Sequence, residues 1–133
     1  NYTIHGPQKD QKTGIIDLME RIKKKYPKKM FIQNAGLELL PDTNSYVDAV
    51  AVESVATDYD FKTKKYGLKK QDQFEKYLSE LDKVHQAYKI PVIIIEYADT
   101  ERLVGQIKDR LDNSKHDYFI GNIDLQTVPK FKK

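Results

Sequence analysis

The segment Pro91-Val92-Ile93-Ile94-Ile95-Glu96 constrains the fold most. Its β-branched residues are continuous rather than alternating, so a strand here is apolar on both faces. Such strands belong to sheets covered on both sides, typically parallel ones. Three other short apolar runs also read as buried strands: Met30–Gln33, Val47–Val52 and Tyr118–Ile120. Helical patterns separate most of them. Thr13 is positioned to cap a helix over Gly14–Tyr26, with Ile15, Met19, Ile22 and Tyr26 at helical spacing, Lys23–Lys25 in its last turn and Pro27 as its stop. Asp72 followed by Glu75 predicts a capping box for a helix over Gln73–Tyr88, whose stripe is Phe74, Tyr77, Leu78, Leu81, Val84 and Tyr88. Thr100 precedes a helix over Glu101–Leu111, with Leu103, Val104, Ile107 and Leu111 on its apolar face. One or two helical turns are expected over Leu37–Leu40, and Asn1–Lys12 reads as a polar loop.

Strands alternating with helices predict an α/β fold with parallel pairing. With 133 residues the chain supplies one domain's core. The absence of cysteine excludes a disulfide scaffold, a thiolate metal site and a Cys nucleophile. His5, His85 and His116 lack zinc-ligand spacing, the six glycines form no phosphate loop, and no G-x-S-x-G elbow occurs, so no metal or organic cofactor is expected. A formal charge of +3 is too mild to point to nucleic acid, and the lysine clusters read as solvated faces. No apolar run reaches the roughly 18 residues of a membrane span, and polar sequence follows Asn1 where a signal peptide would begin. The missing initiator methionine suggests sequence upstream.

Parallel α/β folds bind ligands at the carboxyl ends of their strands. Here the first run ends in Gln33-Asn34, the second in Glu53-Ser54 and the third in Glu96-Tyr97-Ala98-Asp99. The fourth ends in Gly121-Asn122, with Asp124 close behind. Val50-Ala51-Val52-Glu53 and Ile93-Ile94-Ile95-Glu96 both run from three apolar residues into a carboxylate. At neighbouring strand ends the two glutamates would share a pocket, where like charge and partial burial raise the pKa of one, as acid/base work on an acetal requires. The alternative is that each caps a helix or pairs with a lysine. Asp99 stands next to Thr100 and is equally placed to cap the following helix. The long segment Val55–Lys70 carries Tyr59, Phe61 and Tyr66. It reads as a loop that either stacks aromatic faces on sugar rings or buries them against the body.

These strand ends resemble a known family. Phe31-Ile32-Gln33-Asn34-Ala35-Gly36-Leu37-Glu38-Leu39-Leu40 is similar to its "QN-x-G-x-E-x-L" stretch. Tyr46-Val47-Asp48-Ala49-Val50-Ala51-Val52-Glu53-Ser54 is similar to its "y-x-D-g-v-x-x-E-s" strand, with Asp48-Ala49 in place of the commoner Asp-Gly. Val92-Ile93-Ile94-Ile95-Glu96-Tyr97-Ala98-Asp99 is similar to its "V-l-x-v-D/E-Y" strand. The family is the endo-α-1,4-polygalactosaminidase-like proteins, glycoside hydrolase family 114 and its relatives.

The resemblance implies the second half of a (β/α)8 TIM barrel that hydrolyses galactosamine-type polysaccharide outside the cytoplasm, as a secreted or cell-surface protein. A non-catalytic carbohydrate-binding relative is the alternative, and a small open flavodoxin-like sheet is the alternative fold. The resemblance places Glu53 as the catalytic carboxylate, with Glu96 and Asp99 beside it. Gln33, Asn34 and Tyr97 fall on its substrate-binding positions, and Tyr59 and Asn122 complete the expected sugar contacts. Glu38, Asp42, Glu53, Asp58, Asp60, Glu96, Asp99 and Glu101 are expected to make the cleft acidic, which would attract a cationic amino sugar. The family's first four strands have no counterpart in the sequence, so self-association or pairing with the missing half is expected.

Overall fold

The computed structural model describes residues 9–126. Helix α1 spans Lys9–Lys25. It begins before Thr13 because Lys9-Asp10-Gln11-Lys12, expected as loop, contain no breaker, and an aspartate suits a helix's first turn. The rest of the expected N-terminal loop lies outside the described residues. Strand β1 (Ile32–Asn34) leads through a 3-10 turn (Leu37–Leu39) into the short helix α2 (Leu40–Thr43), where the helical turns were expected. Then come β2 (Ala49–Glu53), β3 (Thr57–Asp60), β4 (Lys65–Leu68), helix α3 (Gln71–Tyr88), β5 (Val92–Tyr97), helix α4 (Glu101–Leu111) and β6 (Asp117–Gly121).

The main sheet has the order β1-β2-β5-β6, and every pair in it is parallel. Sequential order with parallel pairing is barrel topology; a flavodoxin-like sheet, with order 2-1-3-4-5, would place its first strand between the second and third. The register places Val50 beside Val92 and Ala51 beside Ile93, which defines two faces. One carries Val50, Val52, Val92, Ile94 and Ile120 and is packed under Leu81, Leu103, Val104, Ile107 and Leu111 of α3 and α4. Each of these side chains contributes about 1.5–3 kcal/mol through burial. The other face carries Ile32, Ala49, Ala51, Ile93, Ile95 and Phe119, and no helix among the described residues covers it: Ile32 is 50% and Phe119 45% exposed. That face would line the interior of a closed barrel.

Two local expectations change. The segment Val55–Lys70 is not an irregular loop: β3 and β4 form an antiparallel hairpin with Tyr59 opposite Tyr66. The Asp60 carboxylate accepts hydrogen bonds from the Lys62 and Thr63 amides and closes its turn. Helix α3 starts at Gln71, so Asp72 lies inside its first turn and the predicted capping box does not form; Gln71 donates to Glu75 instead. Thr100 does cap α4, its hydroxyl accepting from the Leu103 amide at 3.3 Å. No described helix is long and apolar enough to cross a membrane.

At the opposite end of the strands, His116 is buried with Nε2 3.2 Å from Asp82 but outside hydrogen-bonding geometry. Burial pushes its imidazole below the ordinary range, and Asp82 offsets part of the effect. The folded state therefore binds fewer protons here than the unfolded chain. This contribution to stability is fully present above about pH 6.5, the unfolded value, and is lost as pH falls below it. Denaturant midpoints measured from pH 7.5 to 5 should decline, and the decline should shrink in His116→Gln.

Candidate active site at the carboxyl ends of the strands

Glu53 ends β2, next to the centre of the sheet, and its side chain projects on the uncovered face. Asn34, which ends β1, donates from Nδ2 to Glu53 Oε1 at 3.2 Å. Tyr97, which ends β5, donates from its hydroxyl to Oε2 at 2.7 Å. Three consecutive strands of the sheet thus meet on one exposed carboxylate. Two donors, one per oxygen, hold its plane and leave the remaining lone pairs directed outward. Burial, with help from the hydrogen bond to Glu53, pushes the Tyr97 phenol far above its ordinary range, so Tyr97 is a donor at every physiological pH.

The backbone is strained beside this group. Ala35, immediately after Asn34, and Ser54, immediately after Glu53, both have φ near +55°. That conformation is uncommon for residues with a Cβ, and such strain concentrates at functional sites. Ladder bonds hold both residues there: Ala35 N donates to Ala51 O at 2.8 Å and Ser54 N to Ile95 O at 2.9 Å.

Glu96 does not share this pocket. It is adjacent to Tyr97 on β5, so the pleat sends it to the opposite face, where it is fully buried. Its Oε1 accepts from the Val55 and Ala56 amides at 2.8 and 2.6 Å. Its Oε2 accepts from the Thr57 amide at 3.0 Å and the Thr57 hydroxyl at 2.5 Å. Burial pushes this carboxyl above its usual range, and the four donors pull part of the shift back. Gln33 is separated from Asn34 in the same way. Its Nε2 donates to the Ala35 and Gly36 carbonyls, and its Oε1 accepts from the Thr43 hydroxyl. The amide is therefore spent on the turn after β1.

Asp99 is exposed, two residues beyond Tyr97. It lines a cavity of about 450 Å³ between the hairpin and the first turns of α4, together with Tyr66, Arg102 and Gln106. Tyr59 packs edge-on against both Phe61 and Tyr66, and Phe61 is left 77% exposed at the hairpin turn. The Tyr66 hydroxyl accepts from the Ile123 amide, which ties the hairpin to the segment after β6, where Asn122 lies half-buried. The expected acidic cleft is thinner than the sequence suggested. Asp42 pairs with Lys12, Asp58 with Lys69, Asp60 closes a turn and Glu96 is buried. Among the described residues no cluster of three or more His, Asp or Glu side chains is arranged to hold a metal ion.

Two contributors escaped sequence reading. Thr57 completes the cage around Glu96, and Arg110 donates to the Ala56 and Lys69 carbonyls at 3.0 and 2.9 Å while lying over the Phe74 ring. Arg110 thereby joins both strands of the hairpin base to α4. Neither carried a sequence signal, because a strand apolar on both sides does not reveal which face Glu96 takes.

Removing the Tyr97 hydroxyl tests the carboxylate's support. Tyr97→Phe keeps the ring and frees Glu53 Oε2, so stability should change by no more than about 1 kcal/mol. Any turnover that depends on Glu53 should fall about tenfold, readable from melting curves beside initial rates.

Parallel βα units in sequential order, helices on one face and polar groups gathered at the carboxyl ends define the class: a portion of a (β/α)8 barrel. Solved structures agree. The chain is similar to the glycoside hydrolase domain of PelA from Pseudomonas aeruginosa, with a TM-score of 0.75 and 24% identity over 90% of this chain and 47% of that one. A glutamate-to-alanine variant of the same domain matches with a TM-score of 0.74 and 23% identity over the same shares. The chain thus spans about half the length of the solved domains it matches. No family model matches the chain, and no curated protein matches it.

Proposed function

We propose that this chain contributes the carboxyl-terminal half of a glycoside hydrolase active site, with Glu53 as the acid/base carboxylate and galactosamine-type polysaccharide as substrate. The carrying observation is the convergence of Asn34 and Tyr97 on an exposed Glu53 at the carboxyl end of the uncovered face. Asn34 and Tyr97 orient the carboxylate, and Asn122 and the Tyr59 hairpin flank the sugar path. Asp99 is kept as a more distant carboxylate on the same end of the sheet. A protein acting on such polysaccharide works outside the cytoplasm, which is the compartment we assign to it.

A second reading has its own support. Glycosidases use two carboxylates across the scissile bond, about 5–9 Å apart. Glu96 is buried on the opposite face, and Asp99 lines a cavity whose walls do not include Glu53, so neither is seen across a shared pocket from it. Either the second comes from further βα units, or the site binds sugar without cleaving it. Incubating the full-length protein with partially deacetylated galactosaminan separates the two. Release of new reducing ends supports hydrolysis; saturable binding with none released favours the binding reading, and neither effect would overturn both.

A further inference from the structure

Glu96 is the most deeply buried ionisable group among the described residues, and the proposed chemistry does not use it. Its four donors come from three consecutive residues, Val55, Ala56 and Thr57, which begin two positions after Glu53 and end at the first residue of the hairpin. The Thr57 hydroxyl also lies 3.4 Å from the Tyr97 amide, which can donate to it, so the cage reaches back to the residue that holds Glu53 Oε2. From the other side Arg110 grips the Ala56 carbonyl. The segment between the candidate catalytic strand end and the hairpin therefore has its amides on one buried anion and a carbonyl on one cation.

We infer that Glu96 is a positioning residue: its carboxylate pins residues 55–57 and thereby sets the placement of Glu53 and Tyr97 from behind the sheet. This rests on the proposed function above. The physical reason is acceptor count. A carboxylate offers about four lone-pair directions and no donor, matching four inward-pointing donors. No other side chain of this size does so. An amide in its place keeps one oxygen and turns an NH2 toward donors it cannot satisfy, so residues 55–57 must move. A misplacement of about 1 Å at a reacting group costs on the order of a hundredfold in rate.

The test compares Glu96→Gln, Thr57→Val, Thr57→Ser and Val52→Ala with wild type in the full-length protein, reading kcat, KM and melting temperature on galactosaminan. Val52 precedes Glu53, but its side chain is buried on the opposite, helix-facing side of the sheet and bonds to none of residues 55–57, and its truncation destabilises by leaving a cavity. Glu96→Gln should lower kcat by about ten- to a hundredfold with KM changed less than about threefold. Thr57→Val should lower it less, and Thr57→Ser, which restores the hydroxyl, should recover wild-type turnover. Val52→Ala should lose melting temperature while keeping kcat. If Glu96→Gln fails to fold, the Thr57 pair carries the same decision. Unchanged kcat in Thr57→Val, or in a folded Glu96→Gln, overturns the inference while leaving the proposed function intact. An equal loss in Val52→Ala reduces Glu96 to general stability and also overturns it. A wild-type protein with no turnover removes the proposed function first and this inference with it.

Discussion

Glu53→Gln is expected to lower hydrolysis of galactosaminan by about a hundred- to ten-thousandfold without unfolding the protein. General acid–base catalysis by one positioned group contributes about 10²–10⁴, and the amide can neither take nor give the proton. The fold should survive because Glu53 is exposed and ends its strand. The amide keeps one oxygen for Asn34, and the Tyr97 hydroxyl can turn to accept from its NH2. Reducing-end release measured beside oligosaccharide affinity reads both halves of the expectation: turnover lost, binding kept. Glu53→Gln with wild-type turnover would remove Glu53 from the chemistry and shift attention to Asp99 or to carboxylates of other βα units.

The second large effect concerns association. The uncovered face exposes Ile32 and Phe119, and the outer edges of β1 and β6 have no strand partner among the described residues. Exposed edges and a contiguous apolar face favour pairing with further chain. The 133-residue chain produced alone should therefore self-associate, its elution moving to larger size as concentration rises. Further βα units are the expected occupant, since the similar solved domains are about twice as long as the matching part. Supplying those units should convert the assembly to a species of fixed size and raise its melting temperature. A sharp monomer peak at every concentration would show that the open face is stable in water and would count against the half-barrel reading.

The parallel sheet was legible because continuous apolar runs such as Ile93-Ile94-Ile95 have no stable place in a sheet with a wet face, and because the intervening helices carry clear stripes. Glu53, Asn34 and Tyr97 were legible as strand-end polar residues. The sorting of neighbours was not. Gln33 and Asn34, like Glu96 and Tyr97, are adjacent in sequence, and the pleat allows only one member of each pair on a given face. A pattern of alternating polar and apolar residues would have told which face is which. These strands are apolar on both sides, so that phase information is missing from them. The hairpin was hidden for a related reason: Thr57-Asp58-Tyr59-Asp60 and Lys65-Tyr66-Gly67-Leu68 are short and charged, and their pairing is secured from outside by Glu96 and Arg110.

The sequence by itself determined the order of elements, the parallel class of the sheet and the end of it that holds the polar residues, because these follow from local periodicity and strand composition. Which carboxylate is exposed on the uncovered face and which is buried was decided only by tertiary structure. The helices α3 and α4 cover one face of β5, and that choice sends Glu96 inward to backbone donors and Tyr97 outward to Glu53.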